Sequence, residues 1–195
     1  MDKKFDIYQI WFNNPFKPDH NLLKWMDTVI TKRPEGSSYT LISPENYFES
    51  NKDIIHIQID IVVKELLKSS KTIKGIWELL TAHQKSELMR TYLASKNENS
   101  VYFDCDVELT GWPTKLEDNG KPCISKRYGK TVDNHVFFAN GNNEWFKTFL
   151  NDDAESMKKL LDAKQRVKYS HTFGLINRRR LEVNQLDNNF FIHHN

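Results

Sequence analysis

VYFDCDVEL, residues 101–109, is an apolar run interrupted by two carboxylates one residue apart, Asp104 and Asp106. Val101, Tyr102 and Phe103 have the β-branched and aromatic character of a short buried strand. Side chains two apart on a strand point to the same side, so Asp104 and Asp106 are expected to face one way and Cys105 the other. Two convergent negative charges at the edge of an apolar sheet repel one another, and a hard cation relieves that repulsion. Mg2+ or Mn2+ takes such oxygen ligands together with phosphate oxygens, which makes a diphosphate the natural guest. The cation would offset charge developing on a departing nucleoside diphosphate, which points toward glycosyl transfer. Taken alone, an Asp-x-Asp also reads as a solvated turn after a strand, so the flanking sequence has to decide.

Working outward, residues 84–94 carry helical spacing, with Leu88 and Tyr92 or Leu93 turned inward and Glu87 and Arg90 one turn apart; residues 97–100 break that helix. On spacing alone Arg90 is an exposed cation making a minor pair with Glu87. Residues 73–80 form a further helix. Residues 54–63 suit a strand, through alternating Ile55, Ile57, Ile59, Ile61 and Val63, and equally a helix over 53–67. At the amino end, residues 5–12 read as a buried strand closed by Asn13, Asn14 and Pro15. Asp19 then caps a helix carrying Leu22, Leu23, Met26, Val29 and Ile30, which Pro34 and Gly36 end, and residues 38–42 make a second strand. Downstream, residues 135–139 form a strand and Asn140-Gly141 a turn. Trp145, Phe146, Phe149 and Leu150, then Met157, Leu160 and Leu161, mark two more helices. Strand, helix, strand is the order from which sheets with covered faces are built. The expected fold is therefore α/β, a central mixed sheet flanked by helices, with its site at the carboxyl ends of the strands.

A chain of 195 residues is long enough for one full core and short for two, so residues 1–195 are expected to form a single domain. The 28 basic and 26 acidic residues are too balanced for a nucleic-acid or membrane-surface protein. Cys105 and Cys123 give no disulfide framework, no secretory signal opens the chain, and the apolar stretches fall short of the ~20 residues that span a bilayer. The expectation is a cytoplasmic protein without a transmembrane segment.

KSELMRTYLASKNENSVYFDCDVEL, residues 85–109, resembles the helix, loop, strand and Asp-x-Asp block of the type A (GT-A) glycosyltransferases with a DXD sugar-binding region. This group holds fungal mannosyltransferases and bacterial capsular-polysaccharide and lipooligosaccharide sugar transferases. Its members carry Ser-Asp and then Arg on the helix, a Gly-Gly turn, and an aliphatic strand into Asp-x-Asp. Here Ser86-Glu87 and Arg90 stand on the helix, Asn99-Ser100 at the turn, and Val101-Tyr102-Phe103 before Asp104-Cys105-Asp106. Glu87 replaces the usual Asp, keeping the charge on a longer arm, and Asn99-Ser100 replaces the Gly pair. Tyr8-Gln9-Ile10-Trp11 is similar to the His-Gln-Ile-Trp strand that lines the nucleotide site, and weaker likeness reaches Asp133-Asn134 with residues 135–139, and Phe191-Ile192-His193-His194.

The resemblance implies a Rossmann-related domain in which a nucleoside diphosphate sugar meets a hydroxyl-bearing acceptor, with Mn2+ or Mg2+ as cofactor. Asp104 and Asp106 would hold the metal and nucleotide, and Arg90 with Glu87 and Ser86 the sugar. Gln9, Ile10 and Trp11 would line the donor site, although Trp11 also suits the core. A late His or acidic residue commonly completes the metal shell in this group, which implicates His193 and His194. Trp112, Asp133 and Asn134 fall where acceptor-side contacts lie. The group mostly retains anomeric configuration and then needs no enzymatic base; under inversion Asp133 is the candidate. Arg178-Arg179-Arg180, Lys164, Arg166 and Lys168 read as solvated faces, or the triplet as part of a lid with Gly174 and residues 184–189. Two rivals stand beside this reading. One is a haloacid-dehalogenase-like phosphatase, whose motif wants Thr or Val where Glu108 stands; the other is a non-catalytic sugar-nucleotide-binding domain.

Overall fold

In the computed structural model, which describes residues 3–12, 18–48, 51–113, 116–117, 119–126, 132–168, 171–186 and 188–194, the chain opens with strand β1 (Asp6–Ile10) and helix α1 (His20–Lys32). Asn13, Asn14 and Pro15, expected to close the first strand, lie outside the described residues. The Asp19 carboxylate accepts from the Leu22 backbone N–H at 2.8 Å and starts α1, whose buried stripe is Leu22, Met26, Val29 and Ile30. Arg33, before Pro34, is already extended, so the helix ends there. Gly36 turns the chain at φ +74°, where a Cβ would also meet the Lys4 side chain at 2.9 Å.

Strand β2 (Ser38–Ser43) pairs parallel with β1, completing the expected strand, helix, strand unit. The ambiguous segment divides between its two readings: β3 (Ile54–Gln58) is a strand and α2 (Ile59–Ser69) a helix that buries Val62 and Leu66. Helix α3 (Lys71–Ile76) runs into a 3-10 turn, and α4 (Ala82–Ala94) starts from a capping box in which Thr81 and Gln84 satisfy each other's backbone N–H. Then come β4 (Ser100–Phe103), β5 (Val107–Leu109), β6 (Cys123–Lys126), β7 (Val132–Phe138), α5 (Asn143–Asp162), α6 (His171–Arg178), β8 (Asn184–Leu186) and β9 (Phe191–His193). The two helices expected after Trp145 are one. Trp145, Phe149, Asp153 and Met157 are buried at four-residue steps, so the stripe never breaks. Asn140 and Gly141 both have positive φ, 50° and 84°, and make the expected turn, which leads from β7 into α5.

The main sheet has the order β3-β2-β1-β4-β7-β6-β8. β3, β2, β1 and β4 run parallel, β7 is antiparallel to both β4 and β6, and β8 runs parallel to β6. A two-stranded antiparallel sheet joins β5 to β9. Alternate strand residues separate the apolar side chains into two clusters: Ile42, Tyr102 and Phe137 pack with α2 to α5, and Leu41, Phe103 and Phe138 with α1. The expected α/β fold, a mixed sheet flanked by helices, is the observed one. No helix among the described residues is long and apolar enough to cross a membrane.

Candidate active site at the strand switch point

From β1 the chain steps one way to β2 and β3, and it returns on the other side as β4. The connections diverge at the carboxyl ends of β1 and β4, which is where open α/β sheets leave a crevice. A cavity of about 740 Å³ lies there. Ile10, Trp11 and Phe12 line it from the end of β1, Asp104, Cys105 and Asp106 from the end of β4, and Leu22 from α1. Because β7 is antiparallel to β4, its amino end adds Asp133, Asn134 and His135. Helix α4 contributes His83, Ser86, Glu87 and Arg90, and β9 contributes His193.

Asp104 and Asp106 do not alternate on a strand. β4 stops at Phe103, and the Val107 N–H donates to the Asp104 carbonyl at 3.2 Å, so the pair sits in a turn between two sheets. Both line the cavity with different partners. The Tyr102 hydroxyl donates to Asp104 Oδ1 at 2.6 Å; Arg90 Nη1 at 3.1 Å and His135 Nδ1 at 2.8 Å meet Oδ2. Burial alone would raise the Asp104 pKa, but the Arg90 charge and His135 outweigh it and hold the carboxyl below its ordinary value. The same burial pushes the Tyr102 hydroxyl well up, and the Asp104 charge adds to it. Asp106 has one oxygen, Oδ2, 3.3 Å from His193 Nε2; its buried Oδ1 has no hydrogen-bond partner.

His135 also reaches Asp133, with Nε2 2.9 Å from Oδ1. An imidazole flanked by two carboxylates donates through both nitrogens and is therefore the imidazolium. Burial lowers its pKa, but Asp104 and Asp133 outweigh that and push it up to about 9. The ring of His193 stacks on it, centroids 3.5 Å apart. On the far wall the Asn134 amide donates to both Glu87 oxygens, at 2.8 and 2.7 Å, and His83 Nε2 lies 3.1 Å from Oε1. Arg90 sits between these groups, with Nη1 donating to the Asn134 carbonyl at 3.0 Å and Nη2 3.9 Å from Glu87. Burial pulls the Arg90 pKa down, yet Asp104 and Glu87 more than offset it. Nη1 is committed to protein acceptors while the buried Nε has no hydrogen-bond partner, so Arg90 is a buried cation and not the exposed pair that spacing suggests.

Three of the expected site residues do not line this cavity. Gln9 is fully buried behind the cavity, where its Nε2 donates to the Asp104 carbonyl at 3.0 Å and its Oε1 accepts from Tyr39 at 2.7 Å. It supports the turn and does not line the site. Trp112 packs on Phe5, Phe103 and Phe138 toward the opposite end of the sheet and lines a different cavity. His194 is turned away from Asp106, stacked on Trp25 at 3.9 Å with Nε2 2.8 Å from Glu108. His135, Tyr102 and His83 were not singled out from sequence. The signal for His135 was present, since it stands two residues from Asp133 on a strand. The pairing of β6 with β7 shifts between Ile124 and Lys126, however, and such an irregularity re-aims side chains that simple alternation would place elsewhere.

Among the described residues no group of three or more His, Cys, Asp or Glu is arranged to hold a metal ion. The donor set nonetheless fits a hard divalent cation in part. Asp106 has an orphaned buried oxygen beside His193, and such ions keep water and phosphate oxygens in the rest of their shell.

No protein-family model matches this sequence, and no curated protein does. Solved structures with a similar fold include several glycosyltransferases. PaToxG glycosyltransferase superposes with a TM-score of 0.62 at 14% identity over 90% of this chain and 69% of that one. Mouse xyloside xylosyltransferase 1 gives 0.62 at 8% identity, over 96% and 86%. Glycosyltransferase GlyE of Streptococcus pneumoniae gives 0.56 at 10% identity, over 95% of this chain. This chain spans 46% of the GlyE chain, about half its length. At these identities the likeness is one of fold.

Proposed function

We propose that residues 1–195 form one catalytic domain that transfers a sugar, of hexose type, from a nucleoside diphosphate sugar to a hydroxyl acceptor. The observation that carries this reading is the set of groups gathered at the β1–β4 switch point. An apolar and aromatic wall (Ile10, Trp11, Phe12) faces an acidic turn (Asp104, Asp106) and a pair of hydroxyl-binding groups (Glu87, Asn134) across one cavity. The wall suits a nucleoside base, and the fixed carboxylate and carboxamide suit sugar hydroxyls. Ser86 adds a hydroxyl on the same helix face.

Asp106 and His193 would hold Mn2+ or Mg2+, which would supply neutralisation of the departing diphosphate. Asp104 contributes as an anion locked in place by Arg90, His135 and Tyr102. In the transfer the bond from the anomeric carbon to the phosphate oxygen breaks and its electron pair leaves with the diphosphate. The acceptor oxygen bonds to that carbon, and its proton goes to the departing phosphate. Asp133 is engaged by the His135 imidazolium and by the Asn134 N–H at 2.8 Å, so it is poorly placed to act as a free base, and this favours retention over inversion. Cys105 and Cys123 are both buried free thiols, which supports a cytoplasmic setting.

The same geometry weighs against a phosphatase, because an attacking Asp104 would need an oxygen that Tyr102, Arg90 and His135 now occupy. The test is a screen of nucleotide sugars with Mn2+ for release of nucleoside diphosphate, slow to water and faster with the right acceptor. No release from any donor would reject the transfer reading. Phosphate freed from a simple monoester, lost on Asp104→Asn, would establish the phosphatase instead.

A further inference from the structure

At the other end of the main sheet lies a second cavity, of about 450 Å³, sharing no lining residue with the first. Its position follows from register. Val101, early in β4, pairs with Phe138, which pairs with Cys123, which pairs with Asn184; the first cavity opens beyond Phe103 at the opposite end of the same strands. Its size lies in the range of small-molecule sites.

The lining is unusual for a structural void. Trp112 presents a partly exposed indole, and Asn184 and Asn189 line the cavity with it, together with Thr110 and a single carboxylate, Glu117. Among the described lining residues none is basic and one, Glu117, is acidic, which favours a neutral ligand over a phosphate or nucleotide. Carboxamides both donate and accept, which matches hydroxyl groups that do the same, and an indole offers an apolar plate to the C–H face of a sugar ring. The parts are held in advance. Trp112 is fixed by ring contacts at 5.3 Å to Phe5, 5.8 Å to Phe103 and 5.7 Å to Phe138. The Asn184 amide is locked by reciprocal bonds with Asn119 at 2.8 and 3.0 Å. Groups already ordered lose little entropy when a ligand arrives.

We propose that this second cavity binds a neutral saccharide, with Trp112 as the stacking plate and Asn184 and Asn189 as hydroxyl partners. The site is separate from the proposed transferase centre, and its occupancy is measurable whether or not transfer is detected. The experiment records indole N–H signals of the full chain by NMR while maltotriose, cellotriose or triacetylchitotriose is added to about 10 mM, a range that registers millimolar affinity. At least one trisaccharide is expected to move the Trp112 signal saturably and leave Trp11 in place, whereas a nucleoside diphosphate with Mn2+ moves Trp11. Asn189→Ala, an exposed position, should weaken the saccharide several-fold without changing the melting temperature, and Trp112→Phe should weaken it more than about tenfold. Absence of any Trp112 shift with all three sugars overturns the proposal. So does an equal shift with a neutral trialanine peptide, or saccharide binding that neither substitution weakens.

Discussion

Asp104 gives both of its oxygens to protein partners, Tyr102 on one and Arg90 with His135 on the other, while Asp106 keeps one buried oxygen without any. Substitution should therefore separate them. Asp106→Asn is expected to abolish Mn2+-dependent binding of a nucleoside diphosphate in calorimetry while leaving the melting temperature near that of the parent. Asp104→Asn strips the partner from a buried Arg90 and His135 and should cost about 3 kcal/mol of stability by denaturant titration. Equal stability of the two variants would contradict this assignment of roles. A third carboxylate behaves in the opposite sense. Asp153 on α5 is fully buried, accepts from Thr172 at 2.8 Å, and has Oδ1 3.6 Å from His171 Nε2 with neither atom hydrogen-bonded. Burial raises its pKa to about 7; the Thr172 bond opposes this, the Glu87 charge adds to it, and Arg178 opposes it again. Because the folded pKa is above the unfolded one, the folded state binds more protons between about pH 4 and 7, and stability falls as pH rises through that window. Asp153→Asn cannot ionise and keeps an acceptor for Thr172. It should match the parent near pH 4 and exceed it near pH 8, by at most roughly 4 kcal/mol. Thermal melts across that range decide, and parallel curves would show that Asp153 does not titrate there.

At the scale of the element, α4 is the one on which the site depends most, since it carries His83, Ser86, Glu87 and Arg90 on one face. Its start is fixed by Thr81, whose hydroxyl accepts from the Gln84 N–H while the Gln84 side chain accepts from the Thr81 N–H and donates to the Val167 carbonyl. Thr81→Ala should lower stability by about 1 kcal/mol, a shift of roughly 2–4 °C for a chain of this size. An unchanged melt would mean that packing alone sets where α4 begins. Elements whose signals are local were legible in sequence: Asp19 before α1, the apolar run of β1, and the residues 97–100 that end α4. The segment 54–63 resisted a single assignment because it holds both periods, alternation to Gln58 and helical spacing after it. Strands β5, β6, β8 and β9 were not read from periodicity, since three or four residues are too few to show a period and their place is set by pairing with distant chain. The site divides in the same way. The Asp-x-Asp turn and the residues of α4 are legible as a motif. The role of His135 is not, since it depends on Asp104 arriving 2.8 Å away from the turn after β4.

On the scale of the whole molecule, the carboxy-terminal segment closes the structure by pairing β9 with β5 immediately after the acidic turn. That places His193 against Asp106 and His135, and sends His194 to the other side, against Trp25 of α1 and Glu108 of β5. Removing residues 190–195 is therefore a poor test of metal binding, because Phe190 and Phe191 are buried with Phe138 and their loss alone would cost several kcal/mol. Point substitutions separate what deletion merges. His193→Asn should leave the melting temperature within about 2 °C of the parent, since the ring is partly exposed and its stacking partner His135 keeps both carboxylates. It should also weaken nucleoside diphosphate binding in Mn2+ by about tenfold or more while changing binding in chelator little, because only the metal-dependent part passes through His193. His194→Ala removes a parallel stack and an acceptor pair at Glu108, so about 1 kcal/mol of stability should go and the Mn2+ dependence should stay. The two variants thus exchange effects between the same two measurements, calorimetry with and without Mn2+ and thermal melting. If His194→Ala, and not His193→Asn, lowered the metal-dependent affinity, the geometry drawn here for the end of the chain would be wrong. If neither lowered it while Asp106→Asn did, the cation would be held by Asp106 with phosphate and water alone, and β9 would serve the fold only.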